Sequence, residues 1–565
     1  MYISNYRRRC EAVFLIFFIF LLLCVGRLFF IQFFRSDYLT AIAKKQHNQL
    51  VELEPRRGVI YDCNLKAQAF NMSMDSLYGV PIEIKNKEVV INQLQSILGL
   101  EHSYLEERLN RKKSFIWLVR KLTPEKSAAI KNLNIKGLGF LRETKRIYPN
   151  SYLASHIIGF SGMDNVGLEG VERGFDNYLK GVPGWAIFLR DARLKKLDIW
   201  EKMVVPQDGL DLVLTIDEVI QYIAERELEK AFINFHAKGA SIVVMDPHTG
   251  RILAMANRPT YDLNDHSAVG KDMMRNRAIC DLFEPGSVFK IVTASAALEE
   301  KKVTEEDVFF CENGSYQVGG RILHDHQPHG NLTFRQVIEE SSNIGTVKVA
   351  QLLGQDTLYQ YVRAFGFGSK LGIDLSGEIS GMIRPVRLWS KTSITSIPMG
   401  QEVGVTTLQL AGAISVIANG GQLMKPYIID SVRDNQGRII KQNKPVLIRK
   451  VISVDTAMRI KKILTGVIEE GTGKLAKVLG FSAAGKTGTA QKLEPNGTYS
   501  HNKFVASFIG FAPAEDPLLT IVVTVDEPHP YYFGGVVAAP VFQKVASDVI
   551  RYLKGNQLPL EAMAQ

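Results

Sequence analysis

At 565 residues the chain is longer than one hydrophobic core usually organises, so about two to four domains are expected. With 46% apolar and 22% charged residues the composition is that of folded protein, which excludes a largely disordered or low-complexity chain. The net charge of +10 is spread along the sequence with no RNA- or DNA-binding motif; it fits a basic surface beside an anionic membrane or polymer, and no nucleic-acid partner is expected.

The N-terminus carries the strongest physical signal. Ala12 to Val25 is almost entirely large and apolar, Arg27 interrupts, and Leu28 to Phe34 continues with only Gln32 polar. That is about the length a helix needs to cross a bilayer. Arg27 lies near one end, where its stem can reach the headgroups. Arg7, Arg8 and Arg9 precede the run and are expected to stay in the cytoplasm, which puts the rest of the chain outside. The rival reading is a cleaved signal peptide. The length of the run and the lack of a small-x-small cleavage site favour a retained anchor. Residues 1–11 are therefore read as a cytoplasmic tail and 12–34 as a single transmembrane helix.

A segment from about Ser36 to Trp200 mixes charged helical stretches with turn signals, such as Arg146-Ile147-Tyr148-Pro149, and becomes glycine-rich around Gly167 to Glu172. A boundary is expected near Pro206-Gln207-Asp208-Gly209. Beyond it Leu210 to Thr215 reads as a strand, and Asp217 to Phe235 as a helix with Asp217 as its cap. Ser241 to Met245 and Arg251 to Ala256 read as a hairpin joined by Asp246-Pro247-His248-Thr249-Gly250. Phe504 to Phe511 and Leu518 to Val525 form a similar pair, followed by a helix from about Ala539 to Lys554. Strands at both ends of a helical middle suggest one α/β domain whose ends meet in one sheet.

Three short motifs carry the chemistry. In Ser287-Val288-Phe289-Lys290 a loop runs into an apolar helix, and residues three apart share a helix face. A serine hydroxyl is a poor nucleophile until a base takes its proton. A partly desolvated lysine near other positive groups can have its pKa lowered enough to serve. Ser341-Ser342-Asn343 follows the helical stretch Thr333 to Glu340 and can pass a proton and hold an amide, although Ser and Asn are as often plain caps. In Lys486-Thr487-Gly488-Thr489, read as a strand, the pleat puts Thr487 and Thr489 on one face and Lys486 on the other. Two hydroxyls with a nearby cation suit a carboxylate ligand, and Gly488 leaves room for a ligand backbone. Each motif alone is weak; the three in this order after an exported anchor are not.

Two other motifs compete with this reading. Gly480 to Thr487 matches the phosphate-binding P-loop, with Ile521 to Asp526 as an acidic strand, but a P-loop must open a helix. Here Gly488, Pro495 and Gly497 follow, on the side of the membrane away from ATP. The five cysteines, Cys10, Cys24, Cys63, Cys280 and Cys311, form no CxxC pair. Cys311 with His324, His326 and His329 fits no zinc spacing and reads as a polar loop, so no metal or cofactor is expected.

These residues resemble class B penicillin-binding proteins of the cell-division (septal) type, over nearly the whole chain. Arg57-Gly58-Val59-Ile60-Tyr61-Asp62 is similar to that family's opening motif, departing from it at Cys63 and Leu65. Asn276-Arg277-Ala278, Leu282 to Ser287, Gly485 to Lys492, Phe504 to Pro513 and Tyr532 to Pro540 are similar to the septal form. The resemblance implies an α/β protein: a transmembrane helix, an elongated α+β non-catalytic (dimerisation or pedestal) module over 35–205, a penicillin-binding transpeptidase domain over 206–555 with an antiparallel sheet packed by helices, and a tail over 556–565. It implies that Ser287 attacks the D-Ala-D-Ala carbonyl of a peptidoglycan stem peptide, with Lys290 as base and Ser341 relaying a proton to the leaving group. Asn343 would bind the substrate amide, and Lys486, Thr487 and Thr489 beside Gly488 its carboxylate. Backbone N–H groups of Ser287 and Thr489 would form the oxyanion hole. Also implied are β-lactam acylation of the same serine, lipid-linked nascent glycan as substrate, and a membrane glycosyltransferase and other division proteins as partners. The catalytic domain would lie on the outer face of the cytoplasmic membrane. A D,D-carboxypeptidase, a β-lactamase and a catalytically idle scaffold stay as alternatives. The β-lactamase reading wants a Glu-x-x-Leu-Asn element after the serine motifs, and the copy at Glu106 to Asn110 precedes them.

Overall fold

The computed structural model describes residues 2–39, 42, 48–111, 113, 115–190, 196–266, 269–494 and 496–555; Pro495 and the tail read over 556–565 lie outside the described residues. The chain divides into two compact units, Met1–Arg56 with Gly181–Gly209 and Arg57–Lys180 with Leu210–Gln565.

In the first unit the apolar run forms an α-helix, Tyr2–Phe29, continued by a π-helical turn, Phe30–Phe34. Tyr6–Phe34 is the one helix among the described residues long and apolar enough to cross a membrane. The unit also holds an antiparallel sheet in the order Asn48–Leu53, Gly184–Arg190, Lys196–Val204.

The second unit is built on two sheets. One runs Ile439–Gln442, Ile429–Arg433, Asp211–Leu214, Ile60–Tyr61, Ala67–Gly79, Ile116–Leu122, with Leu138–Ile147 also paired to the long strand Ala67–Gly79. A small core of Leu77, Ile91, Leu94, Leu105 and Leu118 packs there. The Glu106 to Asn110 copy of the deacylation motif belongs to this region, on the helix His102–Leu109.

The other sheet positions the site. Its strands are β1 (Gly239–Met245), β2 (Ile252–Arg258), β3 (Ala484–Leu493), β4 (Tyr499–Ala512) and β5 (Leu519–Asp526). They pair antiparallel in the order β2-β1-β5-β4-β3, so strands from the two ends of the domain meet between β1 and β5 and β3 is left at the edge. Both faces are covered. Ile242, Val244, Ile521 and Val523 join one core, and Val243, Met245 and Val522 the other, as the two-residue period of a strand requires. On the first face lie α1 (Glu218–Asn234) and, at the C-terminal end, a long amphipathic helix (Ala539–Gly555). On the second lie α2 (Lys290–Glu299), α3 (Asn343–Leu353), α4 (Thr407–Ala418) and α5 (Val454–Glu469). All twelve residues of α4 are buried, which is why its sequence shows no polar face. Local chemistry sets the starts: Asp217 caps α1 by accepting from Val219 N–H and Ile220 N–H, and Thr333 with Gln336 forms a capping box for the short helix Phe334–Glu339 that delivers Ser341.

Candidate active site

Ser287 lies in a 3-10 turn, Gly286–Phe289, that runs directly into α2; Lys290 N–H donates to Ser287 O to close it. In such a turn side chains three apart eclipse, which puts Ser287 and Lys290 on one face. Gly286 has φ +59°, and a Cβ there would stand 2.8 Å from Thr489 O. Only glycine fits that left-handed position so close to β3. Gly286 N–H donates to Gly400 O at 3.2 Å, fastening the other side of the turn. Gly488 completes the contact: a Cβ on it would meet Val288 at 2.8 Å and Pro285 O at 2.9 Å. The close approach that Gly488 permits is thus to the Ser287 turn.

Ser287 is half-buried, while Lys290 is fully buried at the start of α2. The Lys290 amine donates to Ser341 O at 2.6 Å, Asn343 Oδ1 at 2.8 Å and Ser341 Oγ at 3.3 Å. The Ser287 hydroxyl is not among its hydrogen-bond partners. Burial drives the Lys290 pKa down to about 7, against the pull of the Asp325 charge. Ser341 is held at φ +59°, a left-handed conformation that costs a serine on the order of 1–3 kcal/mol. Its carbonyl and hydroxyl both reach Lys290 from that strained corner.

Lys486 on β3 is also fully buried, and its amine has no hydrogen-bond partner among the described residues. Burial holds its pKa well below the lysine range, repulsion from Lys290 adds to this, and Glu340 opposes it. Thr487 points the other way, its hydroxyl 2.9 Å from that of Thr472, and Thr489 Oγ1 accepts from Gly534 N–H at 3.0 Å. Near these segments Phe533 packs against His326 with ring centres 5.0 Å apart, and Tyr532 stacks on Phe504 at 4.1 Å.

All eight residues singled out in the sequence, Ser287, Lys290, Ser341, Asn343, Lys486, Thr487, Gly488 and Thr489, thus fall in three segments that touch. Sequence reasoning missed Thr472 and Asp325. Asp325 accepts from Ser342 Oγ at 2.6 Å, Asn343 N–H at 2.5 Å and Ile344 N–H at 3.0 Å. The only signal for it was the polar run around His324 and His326. Cys311, read as part of the same loop, is buried and takes a hydrogen bond from Ser342 Oγ at 3.4 Å. Among the described residues no group of three or more His, Cys, Asp or Glu is arranged to hold a metal ion. The phosphate-loop competitor is overturned: Lys486 and Thr487 lie inside β3, paired in register with Ile509 and Phe508, and no helix opens there. Asp526, its supposed magnesium ligand, pairs with Lys492 at 2.7 Å.

A buried amine, a hydroxyl one turn away, a serine and amide corner, and a second buried lysine on the edge strand together have the residue pattern of the penicillin-recognising serine type. Residues 240–547 match the family model of the penicillin binding protein transpeptidase domain, and residues 52–214 that of the penicillin-binding protein dimerisation domain. The chain belongs to the penicillin-binding protein transpeptidase family, in its class B arrangement. It is 38% identical over 562 residues to stage V sporulation protein D of Bacillus subtilis (strain 168), covering 97% of this chain and 86% of that protein. It is 31% identical over 536 residues to the peptidoglycan D,D-transpeptidase FtsI of Escherichia coli (strain K12), covering 93% and 89%. Among solved structures, penicillin binding protein 3 from Mycobacterium tuberculosis in complex with aztreonam superposes with a TM-score of 0.70 at 29% identity, covering 89% of this chain and 97% of that one.

Proposed function

We propose that this protein is a membrane-anchored peptidoglycan D,D-transpeptidase in which Ser287 is the nucleophile and Lys290 its base. The observation that carries the reading is the Lys290 amine: fully buried, bonded to Ser341 and Asn343, in no ion pair among the described residues, and one turn from the serine. With its pKa brought down to about 7 by burial, a lysine so placed can take a proton near neutral pH.

In this mechanism Ser287 Oγ attacks the carbonyl carbon of the penultimate D-Ala, and its proton passes to Lys290 Nζ. Backbone N–H groups of Ser287 and Thr489 stabilise the oxyanion, which exists only in the transition state and intermediate. The proton moves through Ser341 Oγ to the departing amine of the terminal D-Ala as the C–N bond breaks. Lys486, Thr487 and Thr489 hold the substrate carboxylate beside Gly488, and Asn343 takes its amide. The amine of a second stem peptide then attacks the ester, gives up its proton to Lys290, and restores the Ser287 hydroxyl. A β-lactam opens on the same serine and stays as an ester.

Residues 206–555 are assigned the catalysis and 35–205 partner contacts, after a helix over 12–34 that holds the catalytic domain outside the cytoplasmic membrane. A membrane glycosyltransferase supplies nascent strands, and the site of action is the division septum, as the resemblance to the septal form implies. The higher identity to stage V sporulation protein D supports a second reading, wall synthesis during spore formation.

Intact-mass spectrometry of the full chain with benzylpenicillin tests the nucleophile. A stable added mass on the parent and none on Ser287→Ala is expected; an adduct on both would sink the assignment. A donor peptide ending in D-Ala-D-Ala, given with an amine acceptor, separates cross-linked from hydrolysed product. Depletion in the native host separates filaments from defective spores.

A further inference from the structure

The carboxylate of Asp325 sits at the start of α3, where it accepts the backbone N–H groups of Asn343 and Ile344 and the hydroxyl of Ser342. The residue before it grips the same asparagine from the other end: Asn343 Nδ2 donates to His324 O at 2.9 Å. A carbonyl can only accept, so the amide nitrogen must face His324, and Asn343 Oδ1 is left facing Lys290, whose amine donates to it. The His324-Asp325 dipeptide thereby fixes the backbone and the flip of Asn343 together. Ser341, next to the clamped pair and in a left-handed conformation, has its carbonyl aimed at the same amine.

We propose that Asp325 is a positioning residue for acyl transfer, holding Asn343 and Ser341 on Lys290 and setting the charge around that amine. This rests on the reading of Ser287 and Lys290 given above. Charged groups face Lys290 from few directions: Lys486 from β3, with Glu340 acting on Lys486, and Asp325 from the approach to α3. Of these Asp325 alone acts to keep the proton on Lys290. Removing its charge while keeping its shape lets Lys290 lose its proton at lower pH. A plain helix cap would have no such effect.

The test is the rate of Ser287 acylation by benzylpenicillin against pH, on the full chain, for the parent, Asp325→Asn and Ser342→Ala. Ser342→Ala removes one partner of Asp325 and the α3 cap but leaves the charge. In Asp325→Asn the rising limb is expected to move down by about one pH unit, with the high-pH plateau about tenfold lower. In Ser342→Ala the plateau falls and the limb stays. An Asp325→Asn limb that coincides with the parent's overturns the proposal, whatever the plateau. If Asp325→Asn does not fold, Asp325→Glu keeps the charge and displaces it by a methylene. A lowered plateau at the parent's limb supports the proposal, and a parent plateau overturns it. A parent that gives no Ser287-dependent adduct, or a flat pH profile, fails the underlying reading and removes this inference with it.

Discussion

Arg57 and Arg146 are buried in the second unit, as Lys290 and Lys486 are, yet the two pairs of basic side chains are treated in opposite ways. Arg57 meets Glu172 and Asp176 at 2.6 Å each, and Arg146 meets Glu172 at 2.7 Å. Burial works against the Arg57 charge, but the carboxylates more than offset it and the net shift is upward. Lys290 and Lys486 have no ion-pair partner among the described residues, and repulsion from Lys290 adds to the cost of charging Lys486. A buried cation with a full set of carboxylates is a structural joint; one denied them is left for chemistry, as base or as ligand for a substrate carboxylate under the function proposed. Arginine suits the first role because it cannot be deprotonated, and lysine the second because its pKa yields to desolvation.

Variants at the two clusters should therefore fail differently. Ser287→Ala should abolish the penicillin adduct outright while the melting temperature stays near the parent's. Lys290→Met should slow acylation by about 10²–10⁴-fold, yet raise thermal stability. The folded pKa, about 7, lies below the 10.5 of the free side chain. Lys290 thus costs stability fully below pH 7, and the cost fades as pH rises towards 10.5. The gain in Lys290→Met should accordingly be largest in acid, and a loss of stability at pH 6 would contradict the account. At the other cluster Glu172→Gln leaves two arginines with one carboxylate between them, at a cost of roughly 3–5 kcal/mol. Acylation by the fraction still folded should change less than about twofold. The smallest effect expected is for Thr333→Ala, which opens the capping box ahead of Ser341 at about 1 kcal/mol, read as a shift in denaturation midpoint.

Much of this site was legible because its chemistry is local. Ser287 and Lys290 are three residues apart, Asp217 caps the helix it precedes, and the Asp246 to Gly250 turn joins β1 to β2 as its residues demand. Other features depend on segments far apart in the chain. Thr472 matters because it reaches Thr487, and Asp325 because it reaches Asn343; nothing in either sequence window announces that. Gly488 reads in the sequence as a place of close approach, but that the Pro285–Val288 turn is also what packs against it does not, since that turn comes from two hundred residues upstream. The sheet of the first unit joins Asn48–Leu53 to strands after Gly181, a pairing with no periodic signal.

The central claim is that an unpaired, dehydrated Lys290 is the base. Its most direct test is the second-order rate of Ser287 acylation by benzylpenicillin on the full chain between pH 5 and 9. The account predicts a rate that climbs with pH and is half-maximal near the Lys290 value of about 7. A rate independent of pH across that range, or one still climbing steeply at pH 9, would mean that Lys290 stays charged and that another group takes the proton.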